Sequence, residues 1–204
     1  LLKHYMSQLA VENPGDELQV YPGSPALSAA HLREQDRLIL MELHTTEIGQ
    51  LRQNFHYDSR IAIHHRDGFE GAMALTPPTP RRGLLLIDPA YEDKDDYVRV
   101  VKTVKEVHRR WATGVIAVWF PMLGRLRDHS QTLISALSGL PAVRVMTLEV
   151  EPQAEEFGMH GSGMLLVNTP WQFGASVDPA MAEVVGALAG SCPAPSYRVI
   201  VDAC

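Results

Sequence analysis

Short apolar runs alternate along this chain with segments whose apolar positions recur every three or four residues. The first pattern is that of strands buried on both faces and the second that of helices laid on a sheet. Their alternation predicts an α/β fold. The strand candidates are 38–42, 60–64, 84–88, 115–120, 143–150 and 164–168, preceded by a short extended piece at 18–21. Ser24 followed by Pro25 has the side-chain oxygen and fixed dihedral of a cap and first helical position, predicting a helix from 25 to about 33. The clearest helix spans about 96–111, where Tyr97, Val100, Val101, Val104, Val107, His108 and Trp111 form one stripe. Asp93, Asp95 and Asp96 stand at its start and Arg109 and Arg110 at its end, the arrangement the helix dipole favours. Residues 76–80, Thr-Pro-Pro-Thr-Pro, read as a stiff connector, 151–163 as a hairpin with a mobile tip, and 178–190 as a final helix. No pattern places the tail after Ser191, and no internal repeat is present.

Composition narrows the picture. With 204 residues, 46% of them hydrophobic, the chain is long enough to close one core, and a single domain over 1–204 is expected. No apolar stretch is long enough to span a bilayer and no leader pattern opens the chain, so a cytoplasmic protein is expected. Cys192 and Cys204 lie outside any metal-ligand spacing, and no metal site is expected. The net charge of -6 argues against a protein that coats nucleic acid, so any such contact must be local. Arg81–Arg82, Arg109–Arg110 and Arg125 with Arg127 are the basic spots. The chain opens without Met in mid-helix pattern, which reads as a fragment.

In open α/β sheets ligands lie beyond the carboxyl ends of the strands. Three acidic residues stand at or just beyond such ends: Glu42, Asp67 followed by Gly68, and Asp88. A carboxylate in the place of Glu42 can accept both hydroxyls of a ribose, and one in the place of Asp67 can accept from an adenine amine. Asp88 opens Asp88-Pro89-Ala90-Tyr91-Glu92, in which Pro89 has no amide hydrogen to satisfy and Tyr91 offers a flat face.

Asp88-Pro89-Ala90-Tyr91 resembles the Asp/Asn-Pro-Pro-Tyr/Phe motif of amino-methyltransferases that act on adenine. With Tyr21 to Pro25, Leu32 to Asp36, Glu42-Leu43-His44, Asp67-Gly68-Phe69, Arg81-Arg82-Gly83, Leu86 to Glu92 and Gly161 to Met164, nearly the whole chain resembles the bacterial 23S ribosomal RNA adenine-N6 methyltransferases of the J type, a family also linked to the use of external DNA. That resemblance implies a Rossmann-like class I methyltransferase with a mostly parallel sheet and a C-terminal antiparallel hairpin. It implies S-adenosylmethionine as cofactor, contacted by Ser24, Glu42, Asp67 and Gly68. It makes Asp88, Pro89 and Tyr91 the catalytic set, with Tyr91 stacking on an unstacked base. The partner it implies is 23S ribosomal RNA, protein-free or in an early assembly intermediate, met by a monomer. Two departures stand out: Ala90 replaces the second proline, and the family's amino-terminal segment, with the first strand and its Gly-rich loop, is absent from this sequence. From another class, the alternative is a catalytically silent nucleic-acid-binding or DNA-utilisation module.

Other chemistry fits less well. Asn168-Thr169-Pro170-Trp171 copies the motif but ends the last strand of the predicted sheet, where a structural or substrate-side role is expected. Gly161-Ser162-Gly163 lacks the G-x-S-x-G order of a serine elbow, and no H-E-x-x-H pair is present, so His64 and His65 read as polar residues near a strand end. The acidic run 93–96 lacks the central glycine and terminal glutamate of a calcium loop.

Overall fold

The computed structural model describes residues 1–15 and 17–202, so Cys204 lies outside the described residues. In chain order the elements are α1 (Leu2–Glu12), α2 (Ser24–Ala30), β1 (Leu38–Glu42), α3 (Thr45–Phe55), β2 (Ile61–His65), α4 (Gly68–Leu75), β3 (Leu84–Ile87), α5 (Asp95–Arg110), β4 (Val115–Leu123), α6 (Ser130–Leu137), β5 (Arg144–Glu149), β6 (Met159–Val167), α7 (Phe173–Leu188) and β7 (Ser196–Asp202). They form two units, Leu1–Gly71 and Ala72–Cys204, with the junction inside α4.

In the first unit β1 and β2 pair in parallel, Leu38 opposite Ile61 and Glu42 opposite His65, and α3 is the crossover between them. Two sequence expectations shift here. Gly23, extended at φ -74° and ψ 174°, takes the cap position, so Ser24 becomes the first helical residue and makes no capping bond; α2 then ends at Ala30 rather than near 33. Residues 18–21 are not a strand. Asn13, at the end of α1, accepts the Gln19 and Val20 amides and donates to the Val20 carbonyl, taking three of the backbone groups that a sheet would otherwise pair.

The second unit is built on a mixed sheet in the order β3-β4-β6-β5-β7. β3 and β4 are parallel, and β6 inserts antiparallel between β4 and β5. The stripe read from the sequence buries Tyr97, Val100, Val104 and Val107 of α5, which pack with α6 on β4 over Ile116, Val118 and Phe120. Each such side chain removed from water contributes about 1.5–3 kcal/mol. The hairpin between β5 and β6 is present, but its tip is tied down: Gly124 donates to the Gly158 carbonyl, Arg125 to that of Ala154 and Leu126 to that of Glu155. β6 begins at Met159, five residues before the apolar run, over a stretch where Gly161 and Gly163 carry no hydrophobic signal. A Cβ on Gly163 would enter the Phe120 ring, so glycine is what lets the two strands meet there.

Two further differences lie near the carboxyl end. α7 starts at Phe173, not at Asp178, and Pro179 falls in its second turn. Asp178 does not cap a helix because its carboxylate is drawn to Arg144, 2.6 Å away, and to the Tyr197 hydroxyl. The tail forms β7, an antiparallel edge strand on β5 whose outer residues stay open to water and so carry little apolar pattern.

Candidate active site

The acidic strand ends occupy the places the pattern assigned them within each unit. In the first unit Glu42 closes β1 half-buried, and one carboxylate oxygen accepts the His44 amide at 2.7 Å. Asp67 follows β2, beside the Arg66 amide that donates to the Glu42 carbonyl, so the two carboxylates lie at adjacent carboxyl ends of parallel strands. One Asp67 oxygen caps α4, accepting from Phe69 at 2.8 Å and Glu70 at 3.2 Å. Gly68 opens that helix, with the nearest atom to an added Cβ at 3.8 Å, an ordinary contact. Ser24 is exposed at the start of α2.

Asp88, Pro89 and Tyr91 belong to the second unit, at the carboxyl end of β3. Asp88 is open to water on one side and crowded by protein on the other, and that desolvation pushes its carboxyl above the ordinary carboxylate range. Tyr91 is held at φ +53°, a left-handed conformation uncommon for a tyrosine. Its ring is 8% exposed, its hydroxyl donates to the Trp119 carbonyl at 2.7 Å, and it packs at 4.6 Å from the Tyr97 ring. The face expected at the mouth of the site is thus turned inward, and the hydroxyl clamps the motif to β4. Burial also raises the Tyr91 hydroxyl far above its ordinary pKa. Beside the motif is a cavity of about 520 Å³ walled by Tyr91, Tyr97, Leu123, Leu126, Arg127 and His129. Tyr97 is pushed up to about 12 by burial and by the nearby Asp128 charge, and its buried hydroxyl has no partner among the described residues.

The rival motif is placed elsewhere. β6 runs antiparallel to β4, with Val167 opposite Ile116, so Asn168 stands at the amino end of β4 while Asp88 stands at the carboxyl end of β3. Asn168 is occupied in structure, its side-chain amide donating to the Ala112 and Gly114 carbonyls at 2.8 and 2.7 Å. Sequence reasoning missed Tyr97, Leu126 and His129 as walls of the site. The available signal was the loop directly after the long apolar strand, which carries Arg125 and Arg127. Of the other basic spots, Arg109 pairs with Glu106 and Arg110 donates to the Met73 carbonyl. His65 bonds the Leu43 carbonyl, and among the described residues no three His, Cys, Asp or Glu side chains gather as metal ligands. No helix of the described residues is long and apolar enough to cross a membrane.

A parallel strand pair with acidic ends joined by a crossover helix in the first unit, and in the second a parallel β3-β4 pair with a hairpin strand inserted beside it, are each of the α/β kind found in class I methyltransferases. A family model described as ribosomal RNA large subunit methyltransferase D, RlmJ, matches residues 1–193, and the chain belongs to that family. Ribosomal RNA large subunit methyltransferase J of Haemophilus influenzae is 42% identical over 173 residues, 84% of this chain and 59% of that protein. The protein of the same name from Escherichia coli is 40% identical, covering 84% of this chain and 61% of its own length. The chain therefore spans about three fifths of these relatives. Among solved structures, a Legionella pneumophila protein of the family termed DUF519 matches with a TM-score of 0.89 and 29% identity, over 98% of this chain and 74% of that one. A probable spermidine synthase from Corynebacterium glutamicum shares the fold at a TM-score of 0.53 and 17% identity, over 81% of this chain and 58% of that one.

Proposed function

We propose that this chain is the catalytic part of an enzyme that methylates the N6 amine of an adenine in 23S ribosomal RNA, acting in the cytoplasm. The observation that carries the reading is Asp88, an open but crowded carboxylate at the carboxyl end of a parallel strand, beside a cavity with aromatic walls. S-adenosylmethionine supplies a methyl group bound to a positively charged sulfur. The residues of the first unit fit its adenosine half. Glu42 keeps one carboxylate oxygen for a ribose hydroxyl after the other has taken the His44 amide, and Asp67, Gly68 and Ser24 complete that set.

An adenine amine is a weak nucleophile because its lone pair is drawn into the ring. Asp88 and a carbonyl of the motif accept hydrogen bonds from its two N–H groups and so localise that pair on nitrogen. Pro89 brings no competing N–H. Tyr91 fixes the turn through Trp119, holding Asp88 on the strand end, so the contribution of the chain is mainly alignment. With Ala90 in place of a second proline, the turn is expected to loosen slightly rather than fail, since the Tyr91 hydroxyl still clamps it to the Trp119 carbonyl.

The test uses the complete gene product and its Asp88→Ala variant, each incubated with tritiated S-adenosylmethionine and protein-free 23S ribosomal RNA from a methylation-deficient strain. Label recovered as N6-methyladenine with the wild type and lost in the variant is the expected result. Label at another position, or undiminished in the variant, overturns the assignment.

A further inference from the structure

The loop after β4 has two sides. Leu123, Leu126, Arg127 and His129 face the aromatic cavity at the motif, while Met122, Arg125, Asp128 and Ser130 wall a second cavity of about 390 Å³ toward β5 and β7. One partition thus separates two hollows at the carboxyl end of β4. The first carries the rings of Tyr91, Tyr97 and His129 among the charged Glu92, Asp93, Lys94 and Arg127. The second carries no tyrosine and is completed by Glu149, Gln153, His160 and Arg198.

We propose that this second cavity seats the nucleotide next to the target adenine in a single-stranded stretch of RNA. The inference rests on the function proposed above. Its volume lies within the roughly 300–1,000 Å³ of small-ligand sites. Its cations are available. Arg198 lies 3.7 Å from Glu149, whose side chain is mostly buried, and Arg125 lies 4.0 Å from the open Glu155; both pairs are long and both guanidiniums are largely open to water. A phosphate offers either guanidinium a better, two-pronged partner. The other acid of the cavity, Asp128, accepts the Ser130 amide at 2.8 Å and the Gln153 side-chain amide at 3.3 Å.

Groups able to read a base are present as well. His160 is 5% exposed, and its Nδ1 has no partner among the described residues. A buried ring nitrogen left without a partner is costly unless something supplies one. Gln131, Gln153 and Glu149 add planar donors and acceptors of the kind that match base edges. A strand laid over the partition would place its target base on the aromatic side and the neighbouring base and phosphate on the polar side. The tied hairpin tip, bonded to Gly124, Arg125 and Leu126, holds the partition in place.

The experiment measures binding of fluorescein-labelled pentaribonucleotides with a central adenine and randomised neighbours to the complete gene product, by fluorescence anisotropy. Arg125→Ala, Arg198→Ala and the double variant are compared with the wild type after circular dichroism confirms folding. Each single change is expected to weaken RNA binding about tenfold, with S-adenosylmethionine affinity in calorimetry unchanged. Replacing the neighbouring nucleotide with an abasic residue is expected to weaken the wild type, because the groups that read its base lose their partner. Equal affinities, no abasic penalty in the wild type, or no RNA binding by the wild type overturns the inference. The two readings fail separately: Asp88-dependent label with unaltered RNA affinity in the arginine variants removes only this one. Weakened binding without N6 label removes the catalytic reading and the target adenine with it, and leaves the cavity as a seat for an RNA nucleotide.

Discussion

A carboxylate accepts an amine hydrogen best while it is ionised, and the crowding around Asp88 favours its neutral form. The acidic limb of the pH–rate profile should therefore lie above the roughly 3.9 of an unperturbed aspartate. Asp88→Asn keeps an oxygen acceptor and has no proton to lose, so its profile should show no such limb. Asp88→Ala should lose about 10²–10³-fold in kcat. The same shift has a stability sign. With the folded pKa raised, the native state holds its proton more tightly than the unfolded chain, and stability falls as pH rises between the two values. Asp88→Asn should accordingly raise Tm at pH 8 and make no difference at pH 3, as calorimetry across that range would show. Asn168 bears the opposite kind of load. At φ +54°, with two carbonyls on its amide, it should cost about 1–2 kcal/mol of stability when changed to Ala, with kcat unaltered in the folded fraction. A loss of kcat with stability intact would return the second motif to the chemistry.

At the scale of elements, the second unit depends on contacts that hydrophobic patterning does not register. Gly163→Ala would force a Cβ into the Phe120 ring and should cost about 1–3 kcal/mol in chemical unfolding. Arg144, 4% exposed on β5, holds Asp178 of α7 and Asp202 of β7, each at 2.6 Å. Arg144→Met should cost about 2 kcal/mol at pH 7, less than a fully buried pair because both carboxylates are partly open. Burial alone would raise Asp178, but bonds from Tyr197 and Arg144 outweigh it and hold it below the ordinary range. Its stabilising share is thus present above the unfolded pKa and is lost as pH falls through the folded one. The gap between variant and wild type should therefore narrow below about pH 4.

These same contacts mark the limit of what was legible in the sequence. The strands at β1 to β4 and the helix α5 were readable because burial on two faces, or on one stripe, writes itself as apolar spacing. So was the Asp88 motif, whose position depends only on where a strand ends. The early start of β6 was hidden by glycines, the start of α7 by an aspartate committed to an arginine far along the chain, and β7 by its place at an edge. The inward turn of Tyr91 was equally unreadable, since it follows from a hydroxyl reaching a carbonyl 28 positions away.

At the scale of the chain, the net charge of -6 argues against a broad electrostatic hold by these residues on the RNA proposed as substrate, so their share of the affinity has to come from a few placed cations and from contacts to bases. Each phosphate contact on a single strand contributes about 0.7 to the slope of log affinity against log salt concentration. If Arg125 and Arg198 each hold one phosphate, the double variant should bind with a slope shallower than the wild type by about 1.4, since every other cation is common to both. Anisotropy titrations from 50 to 300 mM salt would give that difference directly. A difference near zero beside a real loss of affinity would mean that the two arginines meet bases rather than phosphates, and that the backbone of the RNA is held elsewhere. A difference near 1.4 would place the strand across the β4 loop, with Arg125 and Arg198 fixing the neighbouring nucleotide before the adenine is presented to Asp88.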